Sequence, residues 1–334
     1  MKKMNVLSAI AFSSVMLVAC GSNDDESNES EALPEEVEKQ PENDLMDDQA
    51  SGEIALEHVN HLVFEIGQRV AASEEEHLAG QYVKVQFEQL DLDTDVQDFT
   101  YTLDEDDESF ESENIVGYKQ GDSNEQIIVG AHYDSVSEGL GADDNASGVG
   151  VMLEAAERLQ DSQTPYSIVF VGFGAEEVGL QGSSHYVNEM ADEEIDHTVG
   201  MINLDSLIAG DKMYVHGSEG EDGFIRDLAL EIAGELELDL EVNSGSNPDY
   251  PEGTTGDWSD HAPFNQAGMP YAYFEATNWD IAELDGYTQT EEHGSIWHTE
   301  NDTLDAIEER FPGRVEERLS TFSTLLTEVL KSLD

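Results

Sequence analysis

One cysteine, Cys20, occurs in 334 residues, so no disulfide can form within the chain. Cations are scarce as well: Lys and Arg number 13 against 76 Asp and Glu, giving a formal net charge of −63. A surface this anionic repels nucleic acid and acidic lipid headgroups, so neither is expected as an electrostatic partner. It fits instead a dense carboxylate coat that keeps a protein hydrated at high salt. Internal repeats are absent, and no stretch approaches the roughly 20 consecutive apolar residues that a membrane-spanning helix needs. With no repeat and no span, one large domain or two small ones can fill this length.

The ends of the chain differ sharply in composition. Lys2 and Lys3 precede an apolar stretch at residues 6–18, and Leu17-Val18-Ala19-Cys20 follows as a lipobox would. Residues 1–19 therefore read as a lipoprotein export signal, with the lone thiol of Cys20 as the lipid attachment point. Residues 20–51 are Asp, Glu, Ser and Asn punctuated by Pro34 and Pro41, a composition that cannot bury a core and reads as a disordered acidic tether. Residues 52–334 are left as the folded domain. The expected location is the cell surface, tethered to a membrane through Cys20 or shed, and a monomer is expected.

Within the domain, Leu56, Val59, Val63, Ile66 and Val70 recur at helical spacing, and residues 77–89 carry a second helical pattern. Residues 96–103 alternate as a strand, residues 114–118 begin another, and the two are expected to pair as a hairpin. From there short apolar runs alternate with helical patterns. Strands are expected at 127–129, 166–173, 199–204, 212–216 and 271–275, and helices at 146–159, 183–190, 225–236 and 304–333, the last interrupted near Pro312. That alternation predicts an α/β fold: a central mixed, mostly parallel sheet flanked by helices. Loops at 243–260 and 277–303 are long enough to border a site.

Chemistry collects at the ends of the apolar runs. His132, with Asp134 two residues on, follows IIVGA; Glu176 and Glu177 follow SIVFVGFGA; Asp205 follows VGMINL; Asp144 sits in the turn-rich GADDNASG; His298 lies in SIWHT. In a parallel sheet the C-terminal strand ends share one edge, so these residues converge. Acids placed directly after apolar strands are costly to bury unless they are paired or bind metal. Adjacent Glu176 and Glu177 point in different directions, so one can bind a metal while the other takes a proton from water. Asp134 fits the hydrogen bond that fixes the His132 tautomer. Asp143, beside Asp144, is the competing choice in its segment.

AHYDS, GADDNASG, GFGAEEVGLQGS, INLDS, SDHAPFNQAGMPYAYFEA and WHTENDTLD, in that order, resemble the secreted bacterial leucyl-type aminopeptidases. These belong to a di-zinc peptidase family that also includes glutamate carboxypeptidases and glutaminyl cyclases. The resemblance spans about residues 114–304. It implies a zinc-exopeptidase fold with two zinc ions per chain, His132 and Asp205 on one, Glu177 and His298 on the other, and Asp144 bridging both. It also implies Glu176 as general base, Asp134 as the carboxylate behind the His132 ligand, and peptides with a free N-terminus as substrates. Residues 91–115 are too few for the inserted protease-associated domain that some relatives carry.

Trp297 stands where some relatives have an oxyanion-stabilising tyrosine. Ser259-Asp260-His261 reads as a buried Asp–His hydrogen bond. Phe264, Met269, Tyr273 and Trp279 are candidate pocket residues for an apolar N-terminal side chain. Competing expectations are a glutaminyl cyclase, another exopeptidase of the family, and a non-catalytic metal-binding lipoprotein.

Overall fold

The structure is a computed structural model that describes residues 49–103 and 108–333. The expected export signal, Cys20 and nearly all of the acidic tether lie outside the described residues. Among the described residues no helix is long and apolar enough to cross a membrane.

Eight strands of two to eleven residues pair into one sheet. Its order is β1 (Asp93–Thr102), β2 (Ser109–Lys119), β4 (Ser167–Phe173), β3 (Gln126–His132), β5 (Thr198–Leu204), β8 (Tyr271–Thr277), β6 (Lys212–Gly217) and β7 (Leu240–Glu241). β1 and β2 form the expected antiparallel hairpin, and β2 continues antiparallel to β4. The middle is parallel: β3 pairs with β4 and β5, and β5 with β8. All seven residues of β4, SIVFVGF, are buried, as a strand covered on both faces requires.

Period-two alternation divides the strand side chains between two apolar layers. Ile127, Val129 and Ala131 of β3 join a large cluster with Val59 of α1 (Glu53–Asn60), Val83 of α2 (Glu74–Gln89), Leu153 of α3 (Gly148–Leu159), Ile225 of α6 (Phe224–Glu235) and Leu326 of α9 (Arg314–Ser332). Ile128 of β3 and Val169 and Val171 of β4 belong to a smaller one, with Tyr186 of α4 (Gln181–Glu189) and Phe264 of α7 (His261–Gln266). Helices thus cover both faces, and the sheet's C-terminal edge is left to loops.

The helical spacing that runs to Val70 stops earlier in space. After α1 one π-helical turn covers His61–Ile66, and the chain then turns at Gly67, whose φ is 94°. The pattern over 304–333 divides into α8 (Leu304–Arg310) and α9, with Pro312 and Gly313 between them. The two-residue β7, α5 (Asp192–His197) and α7 are too short to leave a period in the sequence.

The start of the domain is fixed by one buried acid. Glu154 of α3 is fully buried and accepts the backbone N–H groups of Gly52 (2.9 Å) and Ala55 (2.8 Å), while Arg158 Nε donates to it at 2.6 Å. Gly52 sits at φ 92°, and a Cβ there would lie 2.5 Å from the Ser320 nitrogen in α9, so only glycine fits. Replacing Glu154 with Ala strands two amide donors and removes the acceptor of Arg158 Nε. It is expected to destabilise the domain by about 3 kcal/mol in urea unfolding; a loss below about 1 kcal/mol contradicts this anchoring role.

Candidate active site

Three parallel strands deliver the first groups to one edge. His132 is the last residue of β3, Glu176 and Glu177 follow β4 after a two-residue turn, and Asp205 directly follows β5. Asp144 comes from the π-turn Ala142–Ser147 that leads into α3, and His298 from the loop before α8. All of these residues meet. Asp144 stands between the imidazoles, with Oδ1 3.1 Å from His132 Nε2 and Oδ2 3.1 Å from His298 Nε2. His132 Nε2 is also 3.7 Å from Asp205 Oδ1 and 3.9 Å from Glu176 Oε2, and His298 Nε2 is 2.9 Å from Glu177 Oε2. Donor atoms of His132, Asp144 and Glu177 lie within 4.8 Å of one another, and so do those of His132, Glu176 and Asp205.

These groups fit a divalent cation better than they fit each other. His132 is 1% exposed, yet neither of its ring nitrogens makes a well-formed hydrogen bond, and Glu177 Oε1 is likewise buried without a partner. Buried polar atoms rarely stay unpaired. Imidazole nitrogen ringed by carboxylate oxygen is a donor set that zinc accepts.

Proton affinities tell the same story. Burial pushes the Glu176 carboxyl well above the usual range, and burial with the nearby Asp144 charge pushes Glu177 up to about 7. Burial also acts to raise Asp144, but the contacts to His132 and His298 win and hold it below the usual carboxylate range. Hydrogen bonds to Asp144 and Glu177 push the His298 imidazole up to about 11. For His132 burial disfavours the charged form, yet the nearby carboxylates of Glu176, Asp134, Asp144 and Asp205 carry it well above the ordinary value. The cluster draws in protons to offset its anionic excess.

A shell of buried groups fixes each of these side chains. Asp134, fully buried, lies 3.4 Å from His132 Nδ1 and also accepts the N–H groups of Glu176 (3.0 Å) and Glu177 (3.2 Å). It therefore orients the imidazole and holds the acidic turn at once. Asp143 points away from the cluster: Oδ1 accepts Ile208 N–H (2.7 Å) and Ala209 N–H (2.9 Å), and Oδ2 accepts Gln289 Nε2 at 2.5 Å. Of the two adjacent acids, Asp144 is the one at the site. Ser206 Oγ and Ser259 Oγ donate to Asp205 at 3.0 and 2.6 Å.

Two further supports, Arg69 and Gln289, carry no motif in the sequence. Arg69 is fully buried and donates to the carbonyls of Tyr133 (2.7 Å), Gly67 (2.9 Å), Leu140 (2.9 Å) and Gly141 (2.8 Å). That fork ties down the loop between His132 and Asp144, and it places a cation near Asp302, Asp134, Asp144 and Glu177. Gly141 turns at φ 58°, where a Cβ would lie 2.6 Å from Arg69 Nη2. Asp302 accepts the N–H groups of Asp143 (2.7 Å) and Asp144 (3.2 Å). Gln289 Oε1 accepts those of Ile296 (2.7 Å) and Trp297 (2.9 Å), so one amide side chain links Asp143 to the His298 loop. Ala175, Ser206 and His298, each a site residue or its neighbour, have φ near 55°. Non-glycine residues held in that region are characteristic of functional sites.

Two expectations are corrected. Asp260 and His261 do not bond to each other: His261 Nε2 faces the Gly256 carbonyl at 2.9 Å and its Nδ1 is buried without a partner. Asp260 is instead a fully buried carboxyl near His132, Asp205 and Glu176, pushed up to about 7 by burial. Phe264 and Met269 pack in the smaller apolar cluster, and of the four candidate pocket residues only Tyr273 lines the site cavity.

That cavity, of about 510 Å³, is bounded by Asp144, Glu176, Glu177, Asp205 and His298 and walled by Tyr250, Trp258, Tyr287 and Trp297. Trp279 lies behind the wall. Its indole stacks 5.9 Å from Trp258 and donates to the buried Glu275 at 2.7 Å. Two of the chain's three tryptophans thus line the cavity and the third backs one of them.

The sequence pattern of Peptidase family M28 matches residues 114–323. The alkaline phosphatase isozyme conversion protein of Escherichia coli K12 is 33% identical over 313 residues, covering 84% of this chain and 90% of that protein. Aminopeptidase YwaD of Bacillus subtilis is 33% identical over 224 residues, covering 65% of this chain but 43% of its own length. Among solved structures, a zinc aminopeptidase from Bacillus subtilis superposes with a TM-score of 0.69 at 20% identity, over 85% of this chain and 96% of that one. A Porphyromonas gingivalis glutaminyl cyclase reaches 0.64 at 21% identity, over 85% and 98%. Likeness at that identity speaks for the shared fold.

His261 supplies a test of how dry this region is. Burial holds its imidazole down at about 4, against an ordinary 6.5, so the folded chain excludes a proton that the unfolded chain accepts. Its stabilising contribution is complete above pH 6.5 and is lost as pH falls towards 4, by up to about 3 kcal/mol. His261→Gln takes up no proton, so its urea midpoint in chelator should fall less than that of wild type between pH 6.5 and 4.5. Equal falls contradict a buried, neutral His261.

Proposed function

The chain belongs to Peptidase family M28, and from that premise we propose that it is a zinc aminopeptidase that removes N-terminal residues from peptides outside the cell. One observation carries the chemistry: the buried His132 nitrogens and Glu177 Oε1 make no hydrogen bond although carboxylate and imidazole groups crowd around them. His132 and Asp205 would hold one zinc, Glu177 and His298 another, with Asp144 between them. Zinc bound there supplies Lewis acidity to a carbonyl and to water.

The protein's own groups do the rest. Glu176 lines the cavity, and its burial-raised proton affinity suits a group that takes a proton from attacking water and returns it to the leaving amine nitrogen. Asp134 keeps Glu176 aimed by gripping its backbone N–H. The aromatic walls favour an apolar side chain at the cleavage site, and Asp257 and Asp285 on the same cavity favour a protonated α-amino group. Export and attachment through a lipid on Cys20 are part of the proposal, supported by the Leu17–Cys20 tetrapeptide.

The test is release of leucine from leucyl-p-nitroanilide by the domain in high salt, with an N-acetylated control and with chelator. Cleavage of the free-amine substrate alone, abolished by chelation and restored by zinc, is the expected result. Glu176→Gln should lower kcat by about 10³ while leaving KM and bound zinc unchanged. Cyclisation of N-terminal glutamine without peptide cleavage would replace the aminopeptidase with the cyclase chemistry of its fold relatives.

A further inference from the structure

Ser73-Glu74-Glu75-Glu76 opens α2 with the spacing of a capping box, in which the acid normally reaches back to the helix's own first amides. Half of that pattern is present, since Ser73 Oγ accepts Glu76 N–H at 3.1 Å. The Glu76 carboxylate is used differently. One oxygen accepts Ala72 N–H just before the helix, while Oε1 accepts the N–H of Ala175 at 2.9 Å and the Ser112 hydroxyl at 2.7 Å. Ala175 lies 99 residues away in sequence and directly precedes Glu176.

Three successive amides of the turn after β4 are therefore each taken by a buried carboxylate: Ala175 by Glu76, and Glu176 and Glu177 by Asp134. Ala175 itself has φ 54°, a conformation that alanine does not hold unaided. We propose that Glu76 is a positioning residue for the reaction, fixing from α2 the backbone that aims the Glu176 carboxylate. Its helix lies outside the span matched by the family pattern, residues 114–323, so this support is not part of that pattern.

The arrangement is costly. Glu76 is 3% exposed, and burial together with the Asp134 charge pushes its carboxyl up to about 7, against the pull of the Ser112, Ala72 and Ala175 donors. A helix cap alone needs no such burial beside a second acid. Any serine or aspartate at the helix start would satisfy the amides of α2 without reaching Ala175.

The role rests on Glu176 being the base, so the test has two arms. In the first, wild type, Glu76→Gln and Glu76→Ala are compared on leucyl-p-nitroanilide, with thermal unfolding as a check on folding. A shift of about 1 Å in a catalytic group costs on the order of 10²-fold in rate. Glu76→Ala should therefore lose about 30- to 100-fold in kcat with KM within twofold. Glu76→Gln keeps an oxygen for Ala175 but cannot accept from Ala72 with its amide nitrogen, and should lose about 3- to 10-fold. A folded Glu76→Ala with kcat within threefold of wild type, or a loss confined to KM, overturns the role. If Glu76→Ala does not fold, Glu76→Gln with kcat within twofold overturns it.

The second arm needs no activity. Amide hydrogen exchange of the segment 174–178 should rise at least tenfold in folded Glu76→Ala, which leaves the Ala175 N–H without its acceptor, and unchanged exchange also overturns the role. If wild type fails to cleave the substrate while exchange responds as expected, the aminopeptidase function falls and the grip on the turn stands.

Discussion

Four carboxylates, from Asp144, Glu176, Glu177 and Asp205, are held within contact distance of two imidazoles at the edge of a buried sheet. Charges this close and this dry repel unless a cation or protons intervene. The rest of the structure is arranged to sustain that concentration. Arg69 contributes a fixed positive charge nearby, and Asp134, Asp143 and Asp302 are each satisfied by backbone N–H groups rather than by side-chain cations. A chain with only 13 basic residues has few cations to place beside its buried acids, so backbone dipoles take over that task.

The same bonds join segments that share no secondary structure. Asp302, just before α8, holds the amides of Asp143 and Asp144; Gln289 bridges Asp143 to the loop that carries His298; Asn145 reaches the Leu204 carbonyl at the end of β5 at 2.8 Å. Loss of one member therefore displaces others, and a local substitution has effects across the site. The sheet provides coarse convergence, while this network sets the final angles. Placing the site on strand ends with a rigid supporting shell is what preorganised catalysis requires.

Much of this was legible in the sequence because burial leaves a strong mark there. The apolar runs before His132, Glu176 and Asp205 define β3, β4 and β5, and parallel pairing brings their ends to one edge. What failed to show were polar residues whose role depends on distant backbone. Arg69 and Gln289 sit in segments without motif or period, and Glu76 looks like an ordinary helix cap until Ala175 is found beside it. The Asp260–His261 expectation failed because adjacency in sequence said nothing of ring direction: His261 turns to Gly256, between Tyr271 and Tyr273. The pocket was misjudged for a similar reason. Phe264 and Met269 face the smaller apolar cluster, while the walls come from Tyr250, Trp258, Tyr287 and Trp297 in loops whose course no periodicity encodes.

The central claim is that the clustered donors form one site for two ions joined by Asp144. Zinc titrated into chelated, dialysed protein in high salt, with bound metal counted per chain by mass spectrometry, tests it most directly. Two equivalents in wild type, with Asp144→Asn falling to one or fewer while still folded, is the predicted result. One equivalent in wild type, or two retained without the Asp144 carboxylate, would contradict it.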